Sequence, residues 1–201
     1  MRVLAIGAHP DDIEIGAAGT IKKHTEAGDD VIFLIMTEAK NGGGTGPQRR
    51  QEAERASKIL GVRVCLFLDY EDTKLPESYE VIEKVEEVIK IFNPDRVYIP
   101  YHNEIHQDHR ATNKVAIAAC RNVPQILMYE GPSTFSDFQA NFCVDISKYV
   151  DFKTAAIKAH MSQGEKEILK VDAILGINKF RGYQTRCELA EGFSVFRYLE
   201  V

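Results

Sequence analysis

Two short runs hold most of the side chains in this 201-residue chain that could do chemistry. The first, Gly7-Ala8-His9-Pro10-Asp11-Asp12, closes an apolar run at residues 3–8. An imidazole three residues before a carboxylate offers one nitrogen and one oxygen to the same ion, a donor pair that suits zinc and its neighbours. Two adjacent carboxylates repel a phosphate and attract a cation. A dinucleotide-binding chain would place glycines here instead, so that backbone N–H groups could approach a pyrophosphate. The second run, Tyr101-His102-Asn103-Glu104-Ile105-His106-Gln107-Asp108-His109, gathers half of the six histidines within eight residues. His106 and His109 are three apart, which on a first helical turn puts both on one face. One can then bind a metal while the other faces a substrate. Asp108, between them, can orient an imidazole and raise its pKa. A catalytic zinc takes three protein ligands and keeps one position open. His9 and Asp12 would supply two, and a histidine of the second run the third. Each residue alone has a plainer reading: a buried, hydrogen-bonded His9, helix N-terminal acidity for Asp11 and Asp12, a solvated helix start for His102.

The elements that must position these runs follow from periodicity. Apolar, β-branched runs at residues 3–8, 31–36, 64–68, 97–100 and 126–129 read as strands buried on both faces. Helical stretches at 15–27, 49–60, 79–92 and 107–121 separate them, with Gly28, Gly61 and Asn93-Pro94 as stops. This alternation predicts an α/β fold: a Rossmann-like, mostly parallel sheet with helices on both faces and the active site at the carboxyl ends of the strands. Later, 141–145 and 194–199 read as strands, and 146–161 and 165–180 as helices. No Gly-, Pro- or Ser-rich linker divides the chain, so 1–201 reads as a single domain. The stretch at 39–48, AKNGGGTGPQ, lies at the same sheet edge as the first run. It is a mobile active-site loop or a plain connector.

Composition removes several classes. Twenty-five basic and 30 acidic residues give a net charge of −5, without the basic excess of a nucleic-acid binder. No apolar run approaches the roughly 20 residues needed to span a bilayer. The N-terminus runs straight into a strand and a polar turn, unlike a signal peptide. Cys65, Cys120, Cys143 and Cys187 are far apart in sequence and read as reduced thiols, so a cytoplasmic protein is expected.

The two runs, with Glu14-Ile15-Gly16 after the first, resemble the LmbE-like or PIG-L-like family of zinc N-acetylglucosaminyl deacetylases. Arg49-x-x-Glu52-Ala53, Tyr129-Glu130, Asp145-Ile146, His160-x-Ser162-Gln163 and Ala190-Glu191-Gly192-Phe193 resemble its later landmarks, so the likeness spans nearly the whole chain. The resemblance implies that His9, Asp12 and His109 bind zinc or another divalent ion, and that Asp11 is the general base. It implies that His106 stabilises the oxyanion or protonates the leaving amine, that Asp108 tunes His106, and that Arg49 contacts the substrate. It also implies a small N-acetylated sugar or glycoconjugate as substrate, and homo-oligomers, trimers or hexamers. Gln107 stands where many relatives have proline. Glu104 stands at a position that is often tyrosine or acidic, which leaves the oxyanion partner open. Two other readings remain: a metal-dependent hydrolase of another bond, such as a phosphoester, and a nucleotide-binding α/β module. The first run lacks the glycine loop that the module needs.

Overall fold

In the computed structural model, residues 1–41, 43–163 and 170–200 are described. In chain order the elements are β1 (Arg2–Gly7), α1 (Asp12–Glu26), β2 (Asp30–Thr37), α2 (Gly46–Leu60), β3 (Val64–Tyr70), α3 (Tyr79–Phe92), β4 (Arg96–Pro100), α4 (Gln107–Ala119), β5 (Gln125–Tyr129), β6 (Phe142–Asp145), α5 (Val150–Lys158), α6 (Val171–Thr185) and β7 (Ala190–Tyr198). They form one seven-stranded sheet in the order β3-β2-β1-β4-β5-β7-β6. The first five strands in that row pair in parallel; β7 pairs antiparallel with both β5 and β6. This is the α/β architecture expected from the alternation.

The strand order reverses at β1. From there the chain builds outward to β2 and β3, then crosses back to place β4 on the other side of β1. The crevice beyond the carboxyl ends of β1 and β4 is therefore a topological switch point, where open α/β sheets bind ligands. The two chemistry-bearing runs are the segments that leave these two strands.

Alternate residues of β1 feed the two cores. Leu4 and Ile6 join the side covered by α3 and α4, and Val3 and Ala5 the side covered by α1, α2 and α5. α1 lies close to the sheet because its contact face carries glycine. A Cβ on Gly16 would collide with the ring of Tyr129 in β5, and one on Gly19 would come within 2.7 Å of Ile146. Between α1, α5 and β7 sits a fully buried ion pair. Lys153 Nζ lies 2.6 Å from Glu191 Oε1 and donates to Ile15 O at 2.7 Å, while Glu191 accepts from the N–H groups of Gly19 and Thr20. A charge this deep is tolerated only when paired and hydrogen-bonded.

Several boundaries differ from the sequence expectation; α1 begins at Asp12, three residues early, and α6 runs on to Thr185. α2 begins at Gly46 because Thr45 caps it, accepting from Gln48 N, with Pro47 in the first turn, so residues 46–48 of the glycine-rich stretch are helical. The helix expected at 146–161 divides into a 3-10 turn, Ser147–Tyr149, and α5. β7 starts at Ala190, four residues early, because the charge that interrupts its apolar pattern, Glu191, is neutralised by Lys153. The start of the helix expected at 165–180 lies outside the described residues. Among the described residues no helix is long and apolar enough to cross a membrane.

Candidate metal and catalytic site

The loop after β1 delivers Asp11 in a left-handed conformation, φ 119°, immediately before α1. A non-glycine residue held there costs about 1–3 kcal/mol and persists only where the surroundings over-determine it. Here the surroundings are Arg49, buried in α2. Its Nη2 donates to Pro10 O at 2.7 Å and to Asp11 Oδ2 at 2.9 Å, and its Nη1 donates to Ala39 O at 3.1 Å. Arg49 is 3% exposed. These three partners are protein atoms, so Arg49 braces Asp11 from behind, while its Nε makes no hydrogen bond.

The structure brings His9, Asp12 and His109 together. His9 Nδ1 is 3.2 Å from His109 Nε2, His109 Nε2 is 3.3 Å from Asp12 Oδ1, and His9 Nδ1 is 3.7 Å from Asp12 Oδ2. Donors about 2.0–2.2 Å from a tetrahedral zinc stand roughly 3.3–3.6 Å apart, so these spacings fit such an ion. Donor atoms of His9, His106 and His109 also lie within 4.8 Å of one another, as do those of His9, Asp72, His106 and Asp108. The second group has another explanation. Asp72 Oδ1 and Asp108 Oδ2 each lie 3.2 Å from His9 Nε2, the nitrogen facing away from His109 and Asp12. Asp108 also accepts from the N–H groups of Thr73 and Leu75, and Asp72 from that of Asn41. Carboxylates on the far nitrogen of an imidazole are the usual outer support of a metal ligand.

A cleft of about 260 Å³ opens beside this cluster, lined by Asp11, Asp12, His106 and His109 and walled by Ile15, Ile105, Tyr129 and Pro132. His9, Asp72 and Asp108 lie behind this lining. A larger depression, about 740 Å³, lies between the C-terminal ends of α3 and α4. It is at the opposite end of the strands and contains no histidine.

The electrostatics separate the two aspartates. Burial pushes Asp11 above the usual carboxylate range; Arg49 opposes this and Asp12 adds to it. Burial works the same way on Asp12, but the charge and hydrogen bond of His109, with His9, outweigh it and hold Asp12 well below the usual range. Burial lowers His9 and His109. The surrounding carboxylates win in both cases, raising His9 well above its ordinary value through Asp108, Asp12 and Asp72, and His109 to about 9 through Asp12 and Glu104. Burial opposes ionisation of Asp72, yet the hydrogen bond and charge of His9, with the Asn41 N–H, bring it down to about 2.

His106 lines the cleft. Its Nδ1 accepts the N–H of Asp108 at 3.2 Å, so its ring caps α4 and, when neutral, carries its proton on Nε2. Asp108 turns its carboxylate to His9 instead. Burial and the neighbouring His9 and His109 lower the His106 pKa, and the charge of Asp108 does not reverse this. Sequence reasoning misses Asp72; Glu14 and His160, known there only as landmarks of the resemblance, form a buried pair 3.5 Å apart. Asp72 carried a usable signal: it is acidic and follows β3 at the same sheet edge as the His9 loop.

A family model described as PIG-L, GlcNAc-PI de-N-acetylase, matches residues 4–120. The chain belongs to the PIG-L family. This PIG-L-family chain is 35% identical to the uncharacterized deacetylase YaiS of Escherichia coli (strain K12), over 80% of this chain and 90% of that protein. It is 33% identical to a diacetylchitobiose deacetylase of Thermococcus kodakarensis, over 83% of this chain and 72% of the relative. The solved N,N'-diacetylchitobiose deacetylase of Pyrococcus horikoshii superposes with a TM-score of 0.87 at 30% identity, covering 97% of this chain and 83% of the other. PIG-L membership carries the enzyme class with it: a hydrolytic N-deacetylase.

Proposed function

We propose that the chain is a divalent-metal-dependent deacetylase that removes the acetyl group from a neutral N-acetylglucosamine-type sugar, with zinc as the metal. The observation that carries this reading is the convergence of His9 Nδ1, Asp12 Oδ and His109 Nε2 at the edge of a cleft that Asp11 also lines. His9, Asp12 and His109 would hold the ion. When bound, the ion supplies Lewis acidity to the acetamide carbonyl and to the attacking water. Asp11 takes a proton from that water as the new C–O bond forms. His106, capped through Nδ1, presents Nε2–H as a neutral donor to the developing oxyanion. Protonated Asp11 then delivers its proton to the amide nitrogen as the C–N bond breaks, so that the amine leaves neutral. Acetate and the free amino sugar are the products.

The preference for a neutral sugar follows from charge. Asp11, Asp12 and Glu104 line the cleft, and Asp72 and Asp108 lie behind His9, five carboxylates against the guanidinium of Arg49. A divalent ion leaves the site anionic, and an acidic conjugate is repelled. The experiment is a panel assay with mass detection of acetate and amine, containing N,N'-diacetylchitobiose, N-acetylglucosamine and N-acetylglucosamine 1-phosphate. Release from the neutral sugars, abolished by a chelator and at least about tenfold faster in kcat/KM than from the phosphate at low salt, is expected from this repulsion. No acetate from any N-acetyl sugar would end the reading.

A further inference from the structure

We propose that Glu104 is a positioning residue that fixes the His109 ring for metal binding, held in turn by the hydroxyls of Ser133 and Thr134; this rests on the metal site proposed above. Glu104 is 1% exposed, and its Oε2 lies 3.4 Å from His109 Nδ1. That nitrogen is buried and makes no well-formed hydrogen bond. An imidazole that gives its Nε2 lone pair to a cation carries its proton on Nδ1, and a buried N–H needs an acceptor. Glu104 is the acceptor within reach. A small closing of the 3.4 Å gap when His109 takes up a metal makes the bond.

The carboxylate is itself fixed. Ser133 Oγ donates to Oε2 and Thr134 Oγ1 donates to Oε1. Glu104 and Thr134 form an antiparallel bridge, extended by Ile105 N to Ser133 O at 3.0 Å and Phe135 N to Asn103 O at 3.1 Å. Arg110, one turn into α4, donates to the carbonyls of Glu104 and Ile105. The main chain and side chain of Glu104 are thus held from three directions, all on segments that leave β4 and β5. The arrangement parallels the support of His9 by Asp72 and Asp108, so each imidazole of the proposed site has a carboxylate behind it. Glu104 does not fit the other role open at its position. An ionised carboxylate is an acceptor and cannot donate to an oxyanion, and its charge would repel one.

The test measures zinc affinity of the full chain by competition with a chromophoric chelator, in wild type, Glu104→Gln and Glu104→Leu. Loss of an outer-shell partner typically weakens metal binding about 10–100-fold, which is the expectation for Glu104→Leu. Glu104→Gln keeps one acceptor oxygen and should fall between the two. Activity of both variants should recover as free zinc is raised, which loss of an oxyanion partner would not show, and their circular dichroism without added zinc should remain that of the wild type, which a folding defect would change. Should Glu104→Leu fail to fold, Glu104→Gln and the double variant Ser133→Ala, Thr134→Val carry the test, the double variant with a smaller loss in the same direction. Wild-type zinc affinity in the folded variants overturns the inference while leaving the metal site standing. A wild-type chain that binds no zinc overturns both.

Discussion

Arg49 offers the clearest quantitative test, because the two roles open to it predict different observables. As a brace it makes three hydrogen bonds from a buried guanidinium, to Pro10 O, Asp11 Oδ2 and Ala39 O. Arg49→Met leaves the Asp11 carboxylate buried without its cation, and breaking such a pair costs about 3–5 kcal/mol. Arg49→Lys keeps the charge, but a single ammonium cannot serve acceptors that now share two nitrogens. Losing one charged hydrogen bond costs about 1.5–3 kcal/mol. In both variants the φ 119° conformation of Asp11, a strain of about 1–3 kcal/mol, loses what holds it. A base displaced by about 1 Å loses about 10²-fold in rate. Urea denaturation should therefore show destabilisation in the order Met beyond Lys, and steady-state kinetics should show kcat falling about 10²-fold with KM nearly constant. Wild-type stability and kcat in Arg49→Lys, with a raised KM, would refute the brace and return Arg49 to the substrate.

Other expectations follow from the same geometry. Asp11→Asn should retain metal and lose about 10²–10⁴-fold in kcat, the usual contribution of a general base; loss of metal in that variant would make Asp11 a ligand. Metal-stripped protein should lose stability as pH rises from about 6.5 through about 9, because a histidine raised in the folded state stabilises fully below its unfolded pKa and ceases to do so above its folded one. For His109 alone this amounts to about 3 kcal/mol, and a denaturation midpoint that climbs over that range would contradict the assignment. Lys153→Met strands Glu191 in the core and should cost about 3–5 kcal/mol, whereas the double variant Lys153→Met, Glu191→Met should recover part of it. A double variant no more stable than Lys153→Met would show that the stranded Glu191 charge is not what destabilises the single variant.

The parts of this architecture that are legible in sequence are those written locally. The five parallel strands are continuous apolar runs, and α3 places Val81, Val85 and Phe92 at helical spacing on its buried face. The two chemical runs are each contiguous, and they meet because β1 and β4 are neighbours, which the alternation of strands and helices already implies. What escapes is whatever depends on a partner remote in sequence. The strand character of 190–193 is hidden because Glu191 is neutralised by a lysine 38 residues away. Spacing pairs Asp108 with its sequence neighbour His106, yet its carboxylate meets His9, 99 residues earlier. Asp72 has no motif around it and gains its role from position at the sheet edge. Arg49 could be matched to a substrate contact by motif, and only its three protein acceptors show that it faces Asp11.

The central claim, that His9, Asp12 and His109 hold the metal on which deacetylation depends, is tested most directly by elemental analysis of wild type and His109→Ala, alongside acetate release. The account predicts about one divalent ion per chain in wild type, as a three-ligand catalytic site requires, with neither stoichiometric metal nor activity in His109→Ala while its circular dichroism remains that of the wild type. Wild-type metal content in His109→Ala, or full acetate release from metal-stripped wild type, would contradict it.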